Sequence, residues 1–314
     1  MIKTGKQVDS FMNLPVSLSP CFPLFIVSKN QYPMPNLLEP FAFEFFRNGT
    51  IAAVLCGALC GLLGVYIVLR GMSYIGHGLS HAIFGGAVVS FIMEWNFYIG
   101  AGLWGFISAV LINQTARRTR IGADAAIGVI TTASFALGVA LISRYRRFTR
   151  SFDAALFGNI LGVTKQDVLV VAVVALLVAI VILLFYKQLL FTTFDSEVAS
   201  VYGVQTEWMD TIFALALAAA LIASMQILGV TLIAAALVVP AITARLMTDS
   251  FNRMVIYSIT LGALSGFVGM YLSYFADISS GASIVLLQAL VFSIVLTITS
   301  IRQSAQKRLI HSHI

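Results

Sequence analysis

Charge is what this sequence has least of. Only 10% of its 314 residues are Asp, Glu, Lys or Arg, while 59% are hydrophobic. A soluble domain carries roughly 25% charged residues, so this chain cannot cover itself with a water-facing surface. The mean hydropathy of +0.95 agrees, and an integral membrane protein follows. Cysteine is scarce as well: Cys21, Cys56 and Cys60 are the whole set. An odd count without paired spacing argues against a disulfide framework. Cys56 and Cys60, four apart in an apolar run, read as small, soft packing residues. There is no Gly-x-x-x-x-Gly-Lys-[Ser/Thr] phosphate loop. Nor is there a buried row of acids of the kind that carries protons, because Asp124, Asp153, Asp167 and Asp277 all fall at the ends of apolar runs or in loops. The chain is therefore a passive path or takes its energy from another subunit, and it is not expected to be an enzyme. Residues 1–48 lack a clean apolar core and a small-residue cleavage site, so they read as an irregular extension rather than a signal peptide. Phe41–Phe46 would suit the headgroup layer at its end.

What is abundant is apolar sequence in runs long enough to cross about 30 Å of hydrocarbon. Such runs lie near 49–69, 72–93, 98–113, 124–143, 166–188, 210–225, 227–247, 253–274 and 282–300. That makes nine, the third and sixth short, or eight if one is re-entrant. In lipid only helices and closed barrels satisfy the backbone. Runs of this length select helices over strands of about ten residues. The expected fold is an all-α polytopic bundle of eight to nine transmembrane helices. It has an extension at 1–48, the membrane domain at 49–300 and a basic tail at 301–314. The net charge of +6 does not point to nucleic acid, since Lys and Arg mark cytoplasmic loops in a polytopic protein. Ten of these residues fall on the side holding Arg117, Arg118, Arg120 and the C-terminus. Six fall opposite once Lys3, Lys6 and Lys29 are set aside as too far upstream. The first side is expected to be cytoplasmic, although the Arg144–Arg150 cluster opposes this.

Glycines recur at helical spacing, at Gly57, Gly61 and Gly64, at Gly100, Gly102 and Gly105, and at Gly262, Gly266 and Gly269. They read as close helix–helix packing. Pro240, inside an apolar run, is expected to kink or interrupt its helix. Interrupted membrane helices are tolerated where they line a cavity, which would put Pro240 near a pathway. The stretch 191–209 is polar and acidic. It suggests a short helix from Ser196 to Tyr202, N-capped by Asp195 and stopped at Gly203. A loop of this size between spans is usually functional.

The segment Arg70–Ala87 places His77 and His81 inside apolar sequence. Two imidazoles four residues apart share one helix face, and ionisable groups at membrane depth default to functional-site hypotheses. A zinc-protease helix would need His-Glu-x-x-His, but residue 78 is Gly, so the general base is missing. A hydrogen-bonded packing pair is one reading. The other is a metal contact, since neutral imidazole ligates Zn, Fe, Ni and Cu. Two histidines do not close a structural site of four ligands, and an incomplete set suits an ion that must enter and leave. Glu94 and Gln226, near run ends, are weak candidates to complete it. His311 and His313 read as solvated tail residues.

The same segment resembles the Arg-x-Met-Ser-x-x-Gly-Asp-Ala-Leu-Ser-His-Ala signature of the permease subunits of bacterial manganese/zinc/iron ABC importers. Asp124-Ala-Ala-Ile-Gly-Val-Ile, Leu156–Gly162, Leu228–Arg245 and Ser280-Gly-Ala-Ser283 are similar to further runs of that family, in family order, over about 49–300. The resemblance implies a type II importer architecture in the bacterial inner membrane. It implies two permease copies in lipid, a cytoplasmic ABC ATPase and an extracytoplasmic metal-binding protein. It also implies a pathway contact between the transported Zn²⁺, Mn²⁺ or Fe²⁺ and residues 77 and 81, with no permanently bound cofactor. The segment carrying Asp195, Glu197, Ala199 and Gly203 would be the coupling helix seated on the ATPase. His77 stands where that family usually has Asp. A permease of similar architecture for a chelated metal or vitamin is the alternative cargo reading, and a membrane enzyme with a histidine-bound metal is a third.

Overall fold

The computed structural model describes residues 39–118, 123–145, 158 and 162–311, and every regular element among them is helical. A 3₁₀ turn at Glu39–Ala42 leads into α1 (Glu44–Leu69), followed by α2 (Ser73–Ile92), α3 (Phe97–Arg118) and α4 (Ala123–Tyr145). Next come α5 (Lys165–Leu184), α6 (Tyr186–Phe194), α7 (Ser196–Val201) and α8 (Thr206–Leu228). The chain ends with α9 (Ile233–Met247), α10 (Phe251–Ala276) and α11 (Ser280–His311). Phe41 does not stand free: it packs edge-on against Phe46 at 5.2 Å and on Phe267 at 6.3 Å, and α1 begins five residues ahead of the expected run. The Arg144–Arg150 cluster lies mostly outside the described residues.

Eight of these helices are long and apolar enough to cross a membrane. The third and sixth runs are not short. They fill out to α3 and α8 because polar residues at their ends, such as Asn113, Gln114, Thr206 and Glu207, continue the helix. The short one is the seventh: α9 has 15 residues, roughly 22 Å at 1.5 Å per residue. The chain between α8 and α9 leaves the helix at Gly229, with φ +78° and ψ 156°, an extended conformation open mainly to glycine, which ends α8. The interruption anticipated at Pro240 lies instead at Gly229–Leu232, and α9 runs through Pro240 as one helix. Pro240 is buried within the bundle.

Lipid offers no hydrophobic driving force between helices, so contact depends on close packing. The antiparallel pair α1 and α10 achieves it with small residues every fourth position. A Cβ at Gly57 would run into the carbonyl oxygen of Gly262, one at Gly262 into that of Gly57, and one at Gly266 into that of Ala53. Ser258 donates its hydroxyl to the Gly61 carbonyl at 2.7 Å across the same seam. Cys56 and Cys60 are free thiols buried in this core. α2 is held on three sides by the same device, Gly76 against Leu237 of α9, Gly85 against the Ser134 carbonyl of α4, and Gly86 against Trp104 of α3. Its remaining face carries the histidines.

Candidate functional site

The turn between α1 and α2 closes with Gly71 at φ +67°. Gly71 N–H bonds to the Val68 carbonyl and Met72 N–H to that of Ile67, the two bonds of a Schellman motif. The chain thereby reverses within three residues, and α2 begins at Ser73. Tyr74, His77 and His81 follow on one face. Tyr74 is 71% exposed; His77 is exposed and His81 half-buried.

The two rings stand edge to face with centroids 4.5 Å apart, and their Nε2 atoms are 3.2 Å apart. His81 is braced by Phe135 of α4, edge-on at 4.9 Å. The opposite wall comes from α4, whose Ile127, Gly128, Thr131, Thr132 and Phe135 complete an open groove of about 560 Å³ with Tyr74, His77, Gly78 and His81. Gly78 sets the width: a Cβ there would meet Ile127 and Thr131 side chains. A glutamate at 78 therefore has no room, which supplies the steric reason a protease-like base is missing. Between the histidines, Ser80 donates to the His77 carbonyl at 2.8 Å and lies 3.2 Å from that of Val230. Val230 sits in the Gly229–Leu232 break, so interrupted backbone is adjacent to the histidine turn, as expected where irregular chain meets a cavity or buried protein.

Two imidazole nitrogens bound to one tetrahedral zinc, at about 2.0–2.1 Å each, lie roughly 3.3 Å apart. The observed 3.2 Å places both nitrogens within reach of a single small cation. The same spacing suits an N–H···N hydrogen bond in the ion's absence. His81 Nδ1 is buried without a hydrogen-bond partner, so no acceptor dictates which nitrogen carries the proton. Among the described residues no third His, Cys, Asp or Glu joins the pair. Glu94 falls in the turn after α2 at φ +57°, and neither it nor Gln226 nor Pro240 lines the groove. The side chains of His311 and His313 lie outside the described residues.

At the end of the bundle holding the α1–α2 turn, the structure folds the polar stretch as follows. Asp195 caps α7, its carboxylate accepting the Val198 N–H at 2.9 Å. Gly203, at φ +82°, stops it, with Gly203 N–H bonded to the Ser200 carbonyl and Val204 N–H to that of Ala199. The helix spans Ser196–Val201. Ala199 is fully buried beneath it, whereas Val198, Val201 and Tyr202 point outward. Glu197 is exposed beside them.

Sequence reasoning missed one constellation entirely. Arg70, at the last turn of α1, donates from Nη1 to Asp210 of α8 at 2.7 Å, from Nε to Thr193 at 3.1 Å and from Nη2 to Thr192 at 3.2 Å. Its guanidinium lies 4.6 Å from the Phe213 ring centre, in cation–π range. Only its place in the Arg-x-Met-Ser signature hinted at more than a loop charge.

Comparison with known proteins identifies what the whole chain is similar to. The profile of the ABC 3 transport family matches residues 42–299. The manganese transport system membrane protein MntC of Listeria monocytogenes is 36% identical over 252 residues, covering 80% of this chain and 90% of that protein. A probable iron transport system membrane protein of Haemophilus influenzae is 34% identical over 266 residues, covering 85% and 98%. The structure of PsaBC from Streptococcus pneumoniae in complex with Fab superposes with a TM-score of 0.75 at 34% identity, covering 82% of this chain and 94% of that one.

Proposed function

This chain belongs to the ABC 3 transport family, and from that membership we propose that it is the membrane-spanning permease of an ATP-driven importer for a divalent transition metal ion. The observation that carries the reading is the His77–His81 pair, with Nε2 atoms 3.2 Å apart at an open groove of a polytopic bundle. The relatives named above supply the cargo class, since they are manganese and iron transport proteins. Two imidazoles favour Zn²⁺ or Fe²⁺ over Mn²⁺, because nitrogen donors suit the former and carboxylates the latter. With only two protein ligands per chain the ion is held loosely enough to leave, and water or a facing second copy completes its shell.

The mechanism we infer is alternating access in the bacterial inner membrane. An extracytoplasmic protein delivers the ion and a cytoplasmic ATPase grips α7 through the outward Val198, Val201 and Tyr202. Movement of α7 then opens and closes the groove. Hydrolysis belongs to the partner, and this chain performs no bond chemistry. The test is uptake of ⁶⁵Zn²⁺, ⁵⁵Fe²⁺ and ⁵⁴Mn²⁺ in cells expressing the complete transporter. His77→Ala and His81→Ala are expected to abolish uptake while the assembled complex persists. His77→Asp is expected to shift preference toward Mn²⁺. Full uptake in both alanine variants would overturn the role of the pair, and competition by chelates but not free ions would replace the cargo.

A further inference from the structure

α7 packs on its two flanking helices, α6 and α8, and one side chain joins those flanks to the turn that leads into the histidine helix. The last turn of α6 carries Thr192 and Thr193, and α8 carries Asp210 in its second turn. Arg70 holds both flanks at once. Thr192 and Thr193 each turn their hydroxyl hydrogen back to the Leu189 carbonyl, at 3.1 and 2.6 Å. Their oxygens are thereby left to accept from the guanidinium. The Arg70 side chain is only 7% exposed and that of Asp210 25%, so the pair works in a medium where charge-assisted hydrogen bonds are strong and directional. Immediately beyond Arg70 lies Gly71, in the left-handed region, then α2, with His77 seven residues from the arginine.

We propose that Arg70 is the positioning residue that transmits displacement of the coupling segment to the metal-bearing helix. This rests on the permease reading above. The rigid fork of the guanidinium makes α6, α8 and the end of α1 move together, and the Gly71 turn converts that movement into a reorientation of α2. Asp210 and the two threonines are its anchors. Transmission is more than a stabilising contact: loosening the fork must separate ATP hydrolysis from transport in complexes that still assemble.

The test uses the complete transporter in proteoliposomes, with Zn²⁺ and Mn²⁺ as probes, and reads ions imported per ATP hydrolysed. The variants are Arg70→Lys, which keeps one charge but loses the fork, Asp210→Asn, and the isosteric double Thr192→Val/Thr193→Val. The expected result is a fall in that ratio of about fivefold or more, the lower bound of typical coupling between sites, with hydrolysis continuing. A merely structural role lowers the amount of assembled complex and reduces import and hydrolysis in step, leaving the ratio where it was. That result overturns the proposal. If the unaltered transporter hydrolyses ATP without importing either ion, the permease reading itself fails, and the inference fails with it. If import proceeds and all three variants keep the ratio, only the inference fails.

Discussion

Two glycine seams run through this bundle, and they differ in what they leave behind. Along α1 and α10, glycines meet backbone: the carbonyls of Gly262, Gly57, Ala53 and Ser258 stand where a Cβ would go, and the seam is sealed. Along α2 and α4, Gly85 is sealed in the same way against the Ser134 carbonyl, but two turns earlier Gly78 meets the methyls of Ile127 and Thr131, and there the seam opens outward into the histidine groove. Backbone-to-backbone contact cannot yield, so the first seam is a fixed partition. Contact against the methyls of Ile127 and Thr131 yields more readily than contact against a carbonyl, although both residues are β-branched and stiff at χ1, so the second seam can give only where it borders the histidine groove. One residue type thus serves rigidity on one side of the chain and compliance on the other, and the difference lies in what the missing side chain faces.

The largest effect is expected at the sealed seam. Gly57→Leu or Gly262→Leu must drive a side chain into an opposing carbonyl, and we expect a loss of about 3 kcal/mol or more. Thermal unfolding in detergent would read this as a collapse of the folded fraction. An unfolding midpoint close to that of the unaltered chain would show that the seam is not tight. Gly78→Ala puts a methyl against Ile127 and Thr131, which can shift, so the expected cost is about 1–2 kcal/mol, and metal uptake falls more than stability does. Equal losses at Gly78 and Gly57 would erase the distinction between the seams. Ser80→Ala removes the hydroxyl that lies between the His77 and Val230 carbonyls, at a cost of about 1 kcal/mol, and exposes the Gly229–Leu232 break to faster hydrogen exchange. Smallest of all is Gly102→Ala, where a Cβ meets nothing within 4 Å. A glycine-to-alanine change inside a helix is expected to be neutral or to stabilise by up to about 1 kcal/mol.

What could be read from residue order alone follows the range of the interaction. The histidine pair was legible because i and i+4 share a helix face whatever the tertiary structure. The cap at Asp195 and the stop at Gly203 were legible because capping is decided within one turn. The span count was less secure. An apolar run shows where chain can lie in lipid but not where a helix breaks inside it, and Pro240 drew attention from Gly229, whose positive φ does the breaking. The groove wall was invisible, since Thr131 and Phe135 sit on an evenly apolar helix with nothing to mark them. Arg70 and Asp210 are 140 residues apart, and no local pattern joins them.

His77 and His81 together are proposed to seat the transported ion. X-ray absorption at the zinc edge, on the detergent-solubilised transporter loaded with one equivalent of Zn²⁺, tests it most directly. Two imidazole nitrogens at about 2.0–2.1 Å are expected, both lost in the His77→Ala/His81→Ala double variant. An unchanged spectrum in that variant would contradict it.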